Sequence, residues 1–448
     1  MCGFIGVVSK NKIKNNLVNK CDEYLSCRGP DEHRVLEKKL KNSSSNITFS
    51  FHRLSVLDLS EKASQPMESN KQNTILMFNG EIYNFSELRS EMEDKNIGFN
   101  TSHSDAETLL NGLTNFGAEF INKIEGQFAF AFLDERKNTL MLVRDRVGQK
   151  PLYFFKSNNE IVFSSNFKSV LKFKNSFNID RNQIINFLNF GVIPSPNTLD
   201  RDIQKLLPGQ LIEFSLDDFS KVTDCKYWNI LDYIDDKNFN EDTFFELFNS
   251  AVKKRMVADV PIATLLSGGL DSTSLIKSIS ENNTGNEEIV TFNVKNSSNK
   301  YDESFWAELV SEKYSTTNKT ALIDGKNLVD NPLKIIKELD EPYADPSIIP
   351  SYLIYKLISE NYKVAISGDG GDELLGGYEK IHLSLKNSGT NYNFFENVYN
   401  IFPPFLGTGS SILKYSKSVK SKFIAYTIDK KFLEFLSLEE DKIFDESY

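Results

Sequence analysis

Short apolar or alternating runs, separated by polar or glycine breaks, fill the first half of the chain. Phe4 to Val8, Ile47 to Phe51, Ile75 to Phe78, Phe128 to Leu133, Leu140 to Val143 and Ile161 to Ser164 read as strands. Helical patterns fall between some of them, at Phe85 to Lys95 and Asp105 to Phe116. Ser104 suits the N-cap of the second, with Glu107 three residues on as in a capping box. Gly191 to Asn197 is a proline-rich break, and Leu207-Pro208-Gly209 is a turn ahead of a strand over Leu211 to Phe214.

The rhythm then changes. Pro261 to Leu266 is a strand, followed by a glycine turn and a helix over Ser272 to Ser280. Strand Ile289 to Val294, helix Ser304 to Tyr314, strand Thr320 to Ile323, helices Leu333 to Leu339 and Tyr352 to Tyr362, and strand Lys363 to Ile366 continue the alternation. Strands alternating with helices predict a parallel sheet with flanking helices. From about Asn391 the tail is rich in Phe and Lys and reads as helical. The acidic stretch around Asp232 to Asp242 reads as a linker or a helix start, and the expected organisation is a β-rich domain over 2–215, a linker over 216–240 and an α/β domain over 241–448.

Bulk composition narrows the function classes. A chain of 448 residues is too long for one ordinary core. No apolar run is long enough to span a bilayer, and the start lacks the basic and apolar regions of a secretory signal. A net charge of −10 argues against general binding to nucleic acid or anionic membrane. Four cysteines (Cys2, Cys21, Cys27, Cys225) at these spacings form neither a disulfide framework nor a zinc pattern, so a reducing cytoplasm is expected.

Two regions carry chemistry. Cys2 becomes the first residue once the initiator Met is removed, which puts a thiol and an α-amino base on one residue. After the strand Ile75 to Phe78 comes Asn79-Gly80-Glu81-Ile82-Tyr83-Asn84. There Gly80 allows close backbone approach and Asn79 offers an amide donor, a pair suited to an oxyanion. Arg53 can fork onto a carboxylate, and Asp105 can hold an ammonium. Together these are the needs of an α-amino acid. The same residues also suit plainer roles: an Asn-Gly turn, a surface ion pair, a helix cap.

In the second half, Ser267-Gly268-Gly269-Leu270-Asp271-Ser272 sits between strand and helix, where backbone N–H groups bind anions. It lacks the lysine of the common phosphate loop. A second cluster, Ser367 through Tyr378, crowds Asp369, Asp372 and Glu373 among glycines. Mg²⁺ with phosphate oxygens suits such a cluster, although a solvated acidic loop would look the same.

The motifs M-C-G-F-I-G, R-G-P-D (Arg28 to Asp31), H-R-L-S, Q-P-M, N-G-E-I-Y-N, S-D-A-E and R-D-R-V-G-Q-K-P-L-Y (Arg144 to Tyr153) occur in the order and spacing of class II glutaminase domains. With S-G-G-L-D-S behind them, the chain resembles the glutamine-dependent asparagine synthetase family. The resemblance implies an αββα N-terminal-nucleophile sandwich followed by an ATP-pyrophosphatase-like α/β domain. It implies Cys2 as nucleophile and Asn79 and Gly80 as oxyanion hole. Arg53, Asp105, Glu81 and the backbone near Val56 and Leu57 would grip glutamine. Cys27 stands where many relatives have His and is expected to be structural.

In the ATP domain the resemblance places Ser267, Gly268, Gly269 and Ser272 in the pyrophosphate loop. It puts Leu265, Val294, Ser367 and Gly368 against adenosine, and Asp271 and Asp372 on Mg²⁺-pyrophosphate. Asp369 takes a position linked to forming the acyl-adenylate or handling ammonia. Tyr301-Asp302-Glu303 and Glu341-Pro342 through Pro346 match further family segments. The implied reaction uses ATP to activate a carboxylate, aspartate by default, which ammonia from the Cys2 site reaches through an internal tunnel. Small-molecule substrates and a homodimer are the expected partners.

Late K-x-D-R-x-S-M-like and R-x-P-F-like motifs of the family do not occur before Tyr448, and Phe432 to Tyr448 resembles the middle of a helical region. Expectations therefore include a separate chain supplying the rest. They also include amidation of another acid, such as a uronic acid of a surface polysaccharide, or a glutaminase or inactive subunit without synthetase activity.

Overall fold

The computed structural model describes residues 1–13, 15–69, 72–234, 240–285, 287–296, 302–323, 332–345 and 347–378. Tyr301, Pro346 and the whole tail from Asn391 lie outside the described residues. The chain divides into two compact units. The first is Met1–Asp180, Ser195–Glu341 and Ser347–Ile366; the second, among the described residues, holds 181–194, 342–345 and 367–378.

The first unit begins with β1 (Gly3–Ser9), α1 (Asn15–Asp22), β2 (Glu32–Lys39), β3 (Asn46–Arg53), β4 (Met67–Ser69), β5 (Thr74–Ile82), α2 (Phe85–Glu93) and α3 (Asp105–Phe116). It continues through β6 (Gly126–Asp134), β7 (Thr139–Arg144), β8 (Tyr153–Lys156), β9 (Glu160–Ser164), α4 (Phe167–Lys174), β10 (Ile203–Lys205), β11 (Gln210–Ser215) and β12 (Val222–Lys226). One sheet runs β10-β8-β9-β1-β3-β2 and the other β12-β11-β7-β6-β5-β4, with every pairing antiparallel.

Side-chain parity explains the layering. Along β5, Ile75 and Met77 join Phe4, Phe49 and Phe51 in a core between the sheets, while Leu76 and Phe78 pack with Leu109 and Leu113 of α3. Along β1, Phe4 faces the other sheet, whereas Ile5 and Val7 pack with Val18 of α1 and Val170 of α4. Successive side chains point to opposite faces of a strand, so sheets covered on both sides read as nearly continuous apolar runs. The result is the expected αββα sandwich. It extends past the expected boundary at 215: Leu216 and Phe219 are buried in the inter-sheet core, and β12 pairs with β11.

The later part of this unit holds α6 (Glu241–Arg255), β13 (Ile262–Leu265), α7 (Leu270–Asn282), β14 (Val290–Asn296), α8 (Ser304–Tyr314), β15 (Thr317–Ile323), helices Pro332–Glu338 and Ile348–Ser359, and β16 (Val364–Ile366). The helix α5 (Arg181–Phe190) belongs to the second unit. The order β15-β14-β13-β16 is parallel throughout. Ala263, Val290 and Phe292 pack on Ile354 and Ile358 on one side, and Leu275, Ile279 and Ile366 pack with Val252 of α6. Alternating strand and helix thus form the α/β sheet that the pattern predicts.

Candidate active site

The sandwich places its chemistry at one end of the inter-sheet layer. Cys2, just before β1, packs against the inter-sheet core. Asn79 and Glu81 lie on the β5 face shared with Ile75 and Met77, by the two-residue strand period, and Arg53 ends β3 on the face of Phe49 and Phe51.

The Cys2 Sγ accepts the Leu54 N–H at 3.4 Å, and Arg28 Nε donates to the Cys2 carbonyl at 3.2 Å. Burial raises the thiol pKa, against the pull of the Leu54 N–H, the amino terminus and Arg53. The amino terminus, carried by Met1 in the encoded chain, is lowered to about 6, chiefly by burial, so it is an uncharged base near neutrality. Glu81 is pushed up by burial and by Asp105, while Lys150 and the amino terminus oppose the rise. Lys150 is itself lowered by burial, against the attraction of Glu81. Thiol, amine, Glu81, Asp105, Arg53 and Lys150 therefore belong to one connected charge network.

Asn79 is 1% exposed, and its Nδ2 has no hydrogen-bond partner among the described residues. A buried amide donor left unmade costs about 1–3 kcal/mol, so it waits for an acceptor. Gly80 is needed by packing: a Cβ there would lie 2.1 Å from the Gln127 carbonyl oxygen. The strand is clamped just upstream by Gln65, whose Nε2 donates to the Phe78 carbonyl at 3.2 Å while its Oε1 accepts the Phe78 N–H at 2.6 Å.

Asp105 opens α3. Its oxygens accept the N–H groups of Ile82 at 3.1 Å and Ala106 at 2.8 Å, and burial still raises its pKa to about 6. Ser104 is the N-cap, accepting the Glu107 N–H at 3.3 Å. The reciprocal half of the capping box does not form. Glu107 instead accepts the N–H groups of Asn100 at 2.7 Å and Thr101 at 2.8 Å, tying down the loop before the helix.

Arg53 is buried, and its guanidinium donates to the Ser60 carbonyl at 3.0 Å and to the Asp58 carbonyl. It thereby shapes the loop after β3 that holds Val56 and the buried Leu57. An open cavity of about 580 Å³ beside it is lined by Asp31, Glu32, Arg53, Ser55 and Ser64 among others.

Sequence reasoning gave no role to several residues that build this site. Asp145 accepts the N–H groups of Phe128, Val147, Gln149 and Lys150 at 2.9–3.2 Å, which winds the turn that delivers Lys150. Arg144 ties the same turn through the Gly148 carbonyl at 2.7 Å and the Lys150 carbonyl at 2.8 Å. Their presence in the Arg144 to Tyr153 motif was the available signal. Asp259 had none: its Oδ2 accepts the Asp58 N–H at 2.7 Å, and its own N–H donates to the Val56 carbonyl at 3.0 Å.

In the parallel sheet, the loop Ser267–Ser272 runs from β13 into α7. Ser272 Oγ accepts the N–H groups of Ser267 at 3.3 Å and Gly268 at 3.2 Å, and Ser267 Oγ accepts that of Gly269 at 3.2 Å. Gly268 has φ +83°, and a Cβ there would lie 2.5 Å from that of Trp306. Gly269 caps α7 without a side-chain acceptor, so the loop is braced while the helix N-terminus keeps its anion-binding character. Asp271 stands in the first turn, and half-buried Leu265 and Val294 pack in the neighbouring core.

Asp369 and Asp372 belong to the second unit. Ser367 Oγ donates to Asp369 Oδ2 at 2.9 Å, and the Gly368 carbonyl accepts the Gly371 N–H at 3.2 Å. Asp372 and Glu373 lie in a short helix, Gly371–Leu375, and Tyr378 donates to Glu373 at 2.6 Å.

No helix among the described residues is long and apolar enough to cross a membrane. A family model described as a glutamine amidotransferase domain matches residues 1–228, and one described as asparagine synthase matches residues 243–434. The glutamine-hydrolyzing asparagine synthetase 1 of Bacillus subtilis (strain 168) is 31% identical over 399 residues, 86% of this chain and 60% of that protein. The chain thus spans less than two thirds of that relative. A putative glutamine-hydrolyzing asparagine synthetase 2 of Methanocaldococcus jannaschii is 31% identical over 462 residues, covering 98% of this chain and 86% of its own length. With both family models in order and that likeness running nearly end to end, the chain belongs to the asparagine synthetase family of glutamine amidotransferases.

Proposed function

We propose that this protein is a glutamine-dependent asparagine synthetase. Cys2, freed at its amine by loss of Met1, attacks the glutamine side-chain carbonyl and releases ammonia and then glutamate. The ammonia displaces AMP from an aspartyl-adenylate formed from aspartate and ATP, with pyrophosphate released in the first step.

The observation that carries the glutaminase reading is the buried, unpartnered Nδ2 of Asn79, on the strand face it shares with Glu81. Such a donor suits the oxyanion that forms when a thiolate adds to a carbonyl. The Gly80 N–H is proposed as its companion. Arg53 and Asp105 hold the α-carboxylate and α-ammonium of glutamine, with Glu81, Val56 and Leu57 beside them.

For the ligase step, the Ser267–Ser272 loop and the α7 N-terminus bind the phosphates, and Leu265 and Val294 supply apolar contacts to adenosine. Ser367 and Gly368 are proposed as further adenosine contacts, and Asp369 as a residue of the adenylation chemistry. Mg²⁺ is a hard cation that takes carboxylate and phosphate oxygens. The Asp271 and Asp372 carboxylates are of the right chemistry to hold it. When bound, it neutralises charge on the departing pyrophosphate. The names of the relatives favour aspartate as the acceptor.

Purified protein given glutamine, Mg-ATP and aspartate should yield asparagine, AMP and pyrophosphate in step. Cys2→Ala should lose glutamine use and keep ammonia-dependent synthesis. Glutamate release without pyrophosphate would overturn the synthetase reading. Pyrophosphate release that needs a sugar acid in place of aspartate would reassign the acceptor.

A further inference from the structure

The loop after β3 is held at two points by residues of the α/β half of the chain. Asp259, three residues before β13, bonds the Val56 carbonyl and the Asp58 N–H. Lys363 directly precedes β16, and its Nζ donates to Asp31 Oδ2 at 2.7 Å across 332 positions of sequence. β13 and β16 are parallel neighbours, with Ile262 opposite Val364, so both anchors stand at the same end of the sheet. The Asp31 oxygen that takes Lys363 also accepts the Ser55 N–H at 2.7 Å.

The Ser55 N–H and the Leu54 carbonyl belong to one peptide group, and in a trans peptide they point in opposite directions. The carbonyl side meets the sulfur of Cys2. The thiol donates to the Leu54 oxygen at 3.7 Å, while the Leu54 N–H donates to the sulfur at 3.4 Å. A continuous chain therefore runs from Lys363 through Asp31, the Ser55 N–H and the Leu54 carbonyl to Cys2 Sγ. Against its burial, hydrogen bonds from Lys363 and the Ser55 N–H hold the Asp31 pKa below its ordinary value, so the group is a carboxylate near neutrality. Linked hydrogen bonds polarise one another. A bare carboxylate on the N–H pushes electron density onto the Leu54 oxygen and strengthens its hold on the S–H proton. A lysine on that carboxylate relieves the pull.

On the reading of Cys2 as the nucleophile of glutamine hydrolysis, we infer that Lys363 is a positioning residue of that site, acting through Asp31 and the Leu54–Ser55 peptide to favour the thiolate. The other charged groups around the sulfur come from the sandwich. They are the amino terminus, Arg53 of β3, Glu81 of β5 and Lys150 of the turn after β7, with Arg28 on the Cys2 carbonyl. Lys363 brings a charge from the α/β half to the same peptide. The two anchors divide the loop between them. Lys363 governs the end that touches the sulfur, and Asp259 governs the end that holds Val56 and Asp58.

The test compares the full chain with its Lys363→Met and Lys363→Arg variants. Inactivation of glutamine hydrolysis by iodoacetamide is followed against pH, because alkylation of Cys2 needs the thiolate. In Lys363→Met the midpoint of inactivation should move to higher pH, and kcat for glutamine should fall several-fold near neutrality with KM little changed. Lys363→Arg keeps the charge and should stay close to the parent. The melting temperature should hardly move, since the Lys363 and Asp31 side chains are 40% and 25% exposed and such pairs add little stability. A midpoint unmoved in Lys363→Met, or moved equally by Lys363→Arg or by Asp259→Ala, would overturn the inference. Glutamine hydrolysis that survives Cys2→Ala would instead remove the nucleophile assignment on which it stands.

Discussion

Asp259 and Asp58 are 201 positions apart in sequence, yet the Asp259 carboxylate accepts the Asp58 N–H at 2.7 Å. The same oxygen meets His103 Nε2 at 2.6 Å, and the Asp259 N–H bonds the Val56 carbonyl. A residue from the turn between α6 and β13 thus holds the loop whose other anchor is Arg53. Asp259→Ala should free that loop. A several-fold rise in KM for glutamine is expected, with kcat little changed and about 1 kcal/mol of stability lost, the scale of one partly exposed charged hydrogen bond. An unchanged KM would separate Asp259 from glutamine binding.

Asn79→Ala separates function from folding. Removing an oxyanion donor costs about 10²–10³ in kcat. Removing a buried donor that has no partner should cost little stability beyond lost packing, because the unmade hydrogen bond disappears with it. The expected result is a glutaminase slowed by that factor with a melting temperature close to the parent's. A large fall in melting temperature with normal turnover would assign Asn79 a structural role.

Gly80→Ala should cost stability. The added Cβ meets the Gln127 carbonyl, which is backbone and cannot swing aside, so β5 and β6 must part. A loss of about 1–3 kcal/mol is expected, as for other overpacked cores. Thermal unfolding measures it, and a neutral change would mean that the two strands separate there without cost.

The apolar rhythm made most of the architecture legible. The α8 helix spans Ser304–Tyr314 as its pattern predicts, and β5 and β6 differ from their expected spans mainly at the ends. Two of the strands it hid share a physical cause. β2 (EHRVLEKK) and β12 (VTDCK) are edge strands of their sheets, largely open to solvent, with no buried face to impose alternation. Charged edges of this kind resist pairing with other chains. For β12 the effect was an expected linker in place of a strand. Within the site, motif residues on a single strand or turn stood out. Asp259 did not, because its role exists only across 201 positions of folded chain.

Asp105 gives the site a pH dependence whose two parts run in opposite directions. Burial lifts its pKa from 3.8 to about 6, and Glu81, lifted likewise, titrates with it. In the unfolded chain the group ionises near its ordinary value, so between pH 3.8 and about 6 the folded protein holds the extra proton. This contribution to stability is full below 3.8 and is lost as pH rises through 6. Binding an ammonium needs the ionised form, so KM for glutamine should fall as pH rises through the same range. Asp105→Asn should flatten the stability change across that window and raise KM at pH 7, most of all relative to substrates that lack the α-ammonium. A KM profile unchanged by the substitution would remove Asp105 from ammonium recognition.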